Sequence, residues 1–180
     1  PRPRLTTPDM ATHLLTGAGS GIGEVLARRL VERGDDVVVL ARDAGRARQI
    51  AEQLPGVSAL VGDLAQPGRL SWALSKQSLP DRIDSLVHAA GVVDLGTVGD
   101  LTPALWDQQL AVNLVAPAEL TRLLLPVLRV SRGHVVFVNS GAGLRASPGW
   151  SAYAASKHGL RALADALRQE EAEHGLRVTS

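Results

Sequence analysis

The 180-residue sequence predicts an α/β fold, a doubly wound parallel sheet with helices on both faces, and three observations carry that prediction. Short β-branched runs alternate with helix-spaced apolar residues from Ala11 onward, the pattern of repeated βαβ units. A glycine-rich turn stands between the first such strand and the first such helix. The composition, 45% hydrophobic and 3% aromatic, supplies a core of Val, Leu and Ala for a single domain.

The elements follow in order. His13, Leu14 and Leu15 form a first strand, and Ile22, Val25, Leu26 and Leu30, three and four apart, mark a first helix capped by Gly34. Residues 37–40 form the second strand, Asp43 caps a helix running to about Gln53, and residues 57–61 form the third strand. A less regular helix over 67–76 leads to a fourth strand at 83–88. Thr102 and Pro103 open a long apolar-striped segment through Val130, which Pro117 and Pro126 are expected to bend or divide. Residues 134–138 form strand five. Tyr153 to His174 form a long helix with Leu160, Leu163, Ala164 and Leu167 facing the core, and Gly175 ends it. Residues 176–179 begin a sixth strand, where the sequence stops. A strand in that position leaves a sheet edge uncovered, so the C-terminal strand region of the fold is expected to be missing.

Residues 1–9 hold three prolines and two arginines without the apolar stretch of a secretory signal. They read as a disordered tail or expression remnant, with Met10 as the native start and residues 10–180 as one dinucleotide-binding and catalytic domain. Nineteen Lys and Arg against 18 Asp and Glu leave no electrostatic reason to expect nucleic acid or an anionic membrane as a partner. The absence of cysteine excludes disulfides, thiolate nucleophiles and Cys-based metal sites, and fits a reducing, cytoplasmic location. No apolar run is expected to reach the length of a membrane span. The five histidines are scattered, so no metal site is expected. A hydrolase elbow of the Gly-x-Ser-x-Gly type is not supplied by Asn139-Ser140-Gly141.

Thr16-Gly17-Ala18-Gly19-Ser20-Gly21-Ile22-Gly23 falls where strand becomes helix, the context that makes a glycine spacing a Rossmann-like dinucleotide site. Gly17 permits the tight turn, Gly21 lets pyrophosphate approach backbone N–H groups, and Gly23 permits close packing of helix on strand. At the end of the second strand a carboxylate would select NAD by binding the adenosine ribose. Ala41 stands there instead, and Arg42 beside it suits charge-assisted bonds to a 2′-phosphate. NADP(H) is therefore expected, with NAD(H) as the alternative. Two other readings stay open: Arg42 pairs on the surface with Asp43 or Glu52, or Asp43 itself accepts from the ribose.

Tyr153, the sole tyrosine, precedes Lys157 by four residues at the start of a long helix, so both side chains emerge from one face. An ammonium close to a phenol favours phenolate, which a general acid/base on a carbonyl oxygen requires. In isolation such a pair is more often a surface contact. Here Ser140 follows strand five at the carboxyl edge of the sheet, where open α/β folds collect ligands, and Asn113 lies on a second helical element.

The turn TGAGSGIG, HAAG at His88 to Gly91, Val112-Asn113, Ser140 and YAASK resemble, in order and spacing, the short-chain dehydrogenase/reductases, from about Thr12 to the last residue. That resemblance implies an oxidoreductase moving hydride between NADP(H) and a small carbonyl or alcohol. It implies that Tyr153 exchanges a proton with the substrate oxygen, that Ser140 holds that oxygen, and that Lys157 binds nicotinamide ribose beside the tyrosine. Asn113 would position a water in a proton relay. The cofactor would be bound by Thr16, Gly17, Gly19, Ser20, Gly21, Ile22 and Gly23, with Arg42 at the ribose end. Asp63, with Leu64 beside it, would face the adenine amino group, and Ala89, Ala90 and Gly91 would line the adenosine ribose through backbone. Asp63 also reads as a turn residue and Asn113 as a helix cap.

Two features depart from the family pattern. His88 stands where Asn is usual and is expected to support a turn, and the family's stretch after strand six is absent. The three tryptophans read as packing residues, with substrate contact a second reading for Trp150. Family habit implies a homodimer or homotetramer, with the segment from Asn113 to Val130 and the helix after Tyr153 as interfaces. The competing functions are an NADP(H)-binding sensor without turnover and a sugar-nucleotide epimerase of related fold.

Overall fold

A computed structural model describes residues 10–180, and the tail expected over residues 1–9 lies outside them. Six strands form one sheet: β1 (Thr12–Thr16), β2 (Asp36–Ala41), β3 (Val57–Val61), β4 (Ser85–His88), β5 (His134–Phe137) and β6 (Arg177–Thr179). All pairings are parallel, in the order β3-β2-β1-β4-β5-β6. Parallel neighbours need crossovers, supplied by α1 (Gly21–Glu32), α2 (Ala44–Gln53), α3 (Leu70–Leu74), α4 (Pro103–Leu110), α5 (Ala116–Ser131) and α6 (Ser151–Glu170).

Because side chains alternate along a strand, the sheet carries a core on each face. Leu15, Val37, Val39, Ala41 and Val87 pack against Ala27 and Leu30 of α1 and Ile50 of α2. Leu14, Val38, Leu40, Leu86, Val135 and Phe137 pack on the other face against α3, α5 and α6, where Leu120, Leu124 and Leu128 are wholly buried. Each such leucine contributes about 1.5–3 kcal/mol by leaving water. Asp43 caps α2 by accepting from Arg46 N at 2.8 Å, and Thr102 with Pro103 opens α4, as their residue types dictate. The chain order reverses between β1 and β4, and that reversal opens a crevice at their carboxyl ends.

Several boundaries differ from the sequence reading. The third helix is a 3-10 turn (Pro67–Arg69) leading into the short α3. The last helix begins two residues before Tyr153, at Ser151, and ends at Glu170, with turns carrying the chain to Gly175. The long apolar segment is neither broken by Pro126, which sits inside α5, nor regular throughout. Pro117 has no N–H to give to the carbonyl of residue 113, four residues back, and there the helix widens into a π-helical turn, Ala111–Val115. The whole stretch Pro103–Ser131 is long and apolar enough to cross a membrane by length and composition, contrary to the expectation of no such run. One face of it packs into the core through Ala116, Leu120, Leu124 and Leu128.

His88 does not support a turn. It is 2% exposed, stacks on Phe137 with centroids 4.9 Å apart, and its Nε2 bonds the Thr121 hydroxyl at 2.9 Å, joining β4 to α5 and β5. Burial pushes its pKa down to about 3 from the 6.5 of an exposed histidine. Below pH 6.5 the unfolded chain therefore gains a proton that the folded chain refuses, and stability present above that pH is lost as pH falls toward 3. His88→Asn removes this titration. Denaturation midpoints followed from pH 7 to pH 4 should fall less steeply in the variant, by up to about 1.4 kcal/mol per pH unit; equal slopes would show that His88 is protonated without disturbing the core.

Candidate active site

The glycine turn lies in the crevice between β1 and β4, pressed against the loop that follows β4. A Cβ on Gly17, whose φ is +73°, would lie 2.6 Å from Ala90 N and 2.7 Å from the Ala89 carbonyl carbon. A Cβ on Gly23 would lie 2.4 Å from the Gly17 carbonyl oxygen, so only glycine lets α1 pack this closely on the turn. Thr16 Oγ1 accepts from Ala90 N at 3.2 Å and ties the two loops together. Gly21, by contrast, faces open space. Ser20 is the N-cap of α1 but its hydroxyl makes no capping bond, which leaves the first-turn N–H groups, Ile22 among them, for an anion.

Outside this turn runs a cleft of about 480 Å³ lined by Gly17, Gly19, Ser20, Arg42, Asp63 and Leu64, among others. Its size, its backbone donors and its glycine cradle fit a dinucleotide. Arg42 is exposed on its wall, and Nε donates to Asp43 Oδ2 at 3.1 Å. Asp43 is not part of the lining, and both its oxygens are engaged, one by Arg42 and one by the α2 cap. The Arg46 N–H, then the Arg42 side chain, hold its carboxyl below the usual range against an opposing effect of desolvation. Asp63 lines the cleft and also makes a turn, accepting from Ala65 N and Gln66 Nε2, each at 2.9 Å.

Sequence reasoning missed Arg46. Its Nη2 donates to the Gly19 carbonyl at 2.7 Å, and its guanidinium lines the cleft with Arg42. The available signal was position: a residue three after the Asp43 cap lies on the first turn of α2, beside the glycine loop.

At the other end of the crevice, Asn113 sits on the π-helical turn, 1% exposed. Its Oδ1 accepts from Val92 N at 2.9 Å, and its Nδ2 donates to Val92 O at 2.8 Å and Ser156 Oγ at 3.1 Å. Ser156, also missed, donates to the Tyr153 carbonyl at 2.7 Å, so the amide reaches the first turn of α6 through one hydroxyl. Lys157 is 5% exposed, its Nζ donates to Val138 O at 2.9 Å and lies 5.8 Å from the Tyr153 ring centroid. Burial pushes its pKa down. A Cβ on Gly91 would approach Asn113 Oδ1 to 3.4 Å and Lys157 Nζ to 4.0 Å, so the loop after β4 closes over both.

Ser140 follows β5 and caps a 3-10 turn, Gly141–Gly143, accepting from Ala142 N at 3.2 Å. It shares a second cleft, about 350 Å³, with Trp150, whose ring stands edge-on to Tyr153 at 5.8 Å. The structure thus gathers Asn113, Tyr153, Lys157 and Gly91 at one point, with Ser140 and Trp150 bordering the adjoining cleft. A buried ammonium beside a phenol at the carboxyl edge of the sheet is suited to proton exchange with a ligand oxygen.

A family model described as short chain dehydrogenase matches residues 11–180. "Short chain dehydrogenase/reductase dpfgG" of Gibberella zeae is 30% identical over 149 residues, 77% of this chain and 53% of that protein. A metagenomic short-chain oxidoreductase, solved in complex with NADP, superposes with a TM-score of 0.83 at 33% identity, covering 94% of this chain and 80% of that one. 4-Hydroxyisoleucine dehydrogenase complexed with NADH gives a TM-score of 0.81 at 27% identity, covering 94% and 73%. The chain spans about half the length of the curated relatives it matches. By its matched residues, its fold and its relatives, this chain belongs to the short-chain dehydrogenase family.

Proposed function

We propose that the chain carries the cofactor-binding and proton-transfer site of an NADP(H)-dependent oxidoreductase that interconverts a carbonyl and an alcohol. The observation that carries this reading is the buried Lys157, held by Val138 O and placed over the Tyr153 ring. Burying an ammonium is costly, and a packing role would be filled more cheaply by an apolar side chain. A sensor needs only the glycine turn and the cleft beside it.

A nicotinamide cofactor held by the glycine turn would supply hydride to the carbonyl carbon, and the rest would fall to this chain. The Tyr153 hydroxyl gives its proton to the carbonyl oxygen as that oxygen gains charge, and takes it back in the oxidation direction. The Lys157 ammonium stabilises the phenolate left behind and would hold the ribose of a bound cofactor. Ser140 donates to the substrate oxygen and fixes its approach. Asn113 positions Val92 and α6 and lies close beside Gly91.

Arg42 favours NADP(H), since a 2′-phosphate offers it a stronger partner than the exposed Asp43 carboxylate. Arg42→Ala should weaken NADPH binding roughly ten- to hundredfold more than NADH binding in a fluorescence titration. Equal losses, or tighter NADH binding in the parent, would assign the cleft to NAD(H).

Tyr153→Phe should leave the fold and cofactor binding intact and lower turnover by about two to four orders of magnitude, read as NADPH absorbance against a panel of aldehydes and ketones. Lys157→Met should do comparable damage and also weaken cofactor binding. Turnover by Tyr153→Phe within a few-fold of the parent would make the pair a structural contact and leave the sensor reading in its place.

A further inference from the structure

The cleft that adjoins the Tyr153 site is small and carries one charge. Its walls are Ser140, Gly141, Ala142, Arg145, Ser147 and Trp150, enclosing about 350 Å³. No acidic residue is among them. Several guanidinium groups elsewhere in the molecule are held by carboxylates, among them Arg42 by Asp43, Arg122 by Glu119, Arg129 by Glu171 and Arg168 by Asp165, while Arg46 bonds the Gly19 carbonyl instead. Arg145 is exposed to the cleft with no such partner among the described residues. Its backbone is fixed, with Arg145 N donating to Gly141 O at 3.0 Å, so the 3-10 turn after Ser140 folds the chain back and brings residue 145 to the same cleft as Ser140.

The opposite requirement is met by Trp150. The indole is 37% exposed, a large apolar surface left open at the cleft, and its edge-on contact with Tyr153 sets it against the proton donor. Gly96 N donates to Gly149 O at 2.8 Å, which ties the loop after β4 to the residue before Trp150 and steadies the ring. A guanidinium, an indole and the Ser140 hydroxyl lining one cleft match a planar apolar body that carries an anion close to its reactive carbonyl.

Resting on the oxidoreductase reading of the site, we infer that the substrate is an aromatic oxo acid, its ring against Trp150 and its carboxylate on Arg145. Arg145 is a specificity-determining residue in this assignment. A neutral ketone of the same shape leaves the guanidinium without its anion, and discrimination between the two follows from that single contact.

The test compares phenylglyoxylate with its neutral isostere phenylglyoxylamide. In the parent chain with NADPH, Arg145→Gln should reduce kcat/KM for the acid roughly ten- to hundredfold more than for the amide, mostly through KM, and Arg145→Lys should restore part of the loss. Binding is read independently of turnover in a chain in which Trp72→Phe and Trp106→Phe leave Trp150 as the sole indole. Phenylglyoxylate should quench Trp150 emission saturably, and Arg145→Gln should raise its dissociation constant by a similar factor. If the acid quenches Trp150 through Arg145 but no carbonyl is reduced, the oxidoreductase reading fails and the site assignment stands. If both compounds are reduced and Arg145→Gln affects them equally, the assignment fails and the oxidoreductase reading stands. Absence of any Arg145-dependent preference in the quenching titration overturns the assignment outright.

Discussion

The Asn113 amide is the constraint on which this end of the molecule depends. It accepts from and donates to the same residue, Val92, and spends its remaining proton on Ser156. Three segments distant in sequence, the π-helical turn, the loop after β4 and the first turn of α6, are thereby fixed to one another through one planar group. The amide is 1% exposed, so any of these partners withdrawn without replacement would leave a buried polar group unsatisfied, at about 1–3 kcal/mol. The position of Tyr153 and Lys157 relative to Gly91 follows from that network rather than from α6 alone. Pro117, which has no N–H to return to the carbonyl of residue 113, lies two residues past that turn.

Charge is distributed unevenly along the crevice. At the end of the crevice beside β2, Arg42 and Arg46 each have a modest partner, an exposed carboxylate for one and the Gly19 carbonyl for the other. At the end beside α6 one ammonium is buried against a carbonyl, a placement that makes it electrostatically expensive and therefore responsive to what binds beside it. His88, at the end of β4, is held neutral by burial.

Much of this was legible in the sequence because the signals were local. The alternation of strand and helix, the glycine turn between β1 and α1, and the Asp43 and Thr102 caps each depend on residues a few positions apart, and the structure has them where the pattern puts them. What was not legible depended on partners far along the chain. Ser156 reads as a small residue in a helix until Asn113, 43 positions earlier, is seen to face it. Arg46 reads as solvated until the Gly19 carbonyl, 27 positions earlier, is found within reach. His88 was assigned to a turn because its neighbours form one, yet Thr121 and Phe137 decide where its ring goes. The helix widening at residues 111–115 is legible in the sequence only as a bend or a division, because a missing donor says that a ladder must be interrupted but not how the chain absorbs it.

The stretch Pro103–Ser131 bears a consequence of another kind. By length and composition it matches a segment able to enter a bilayer. Within it, however, lie two amides that water never reaches: Gln109, wholly buried and bonded to the Asp94 backbone through both its oxygen and its nitrogen, and Asn113. In hydrocarbon neither would find the loop that satisfies it here, and each would cost several kcal/mol. In this fold the loop over residues 92–94, with Ser156 for Asn113, supplies the donors and acceptors that hydrocarbon lacks, so the apolarity of the stretch carries two polar demands inside it.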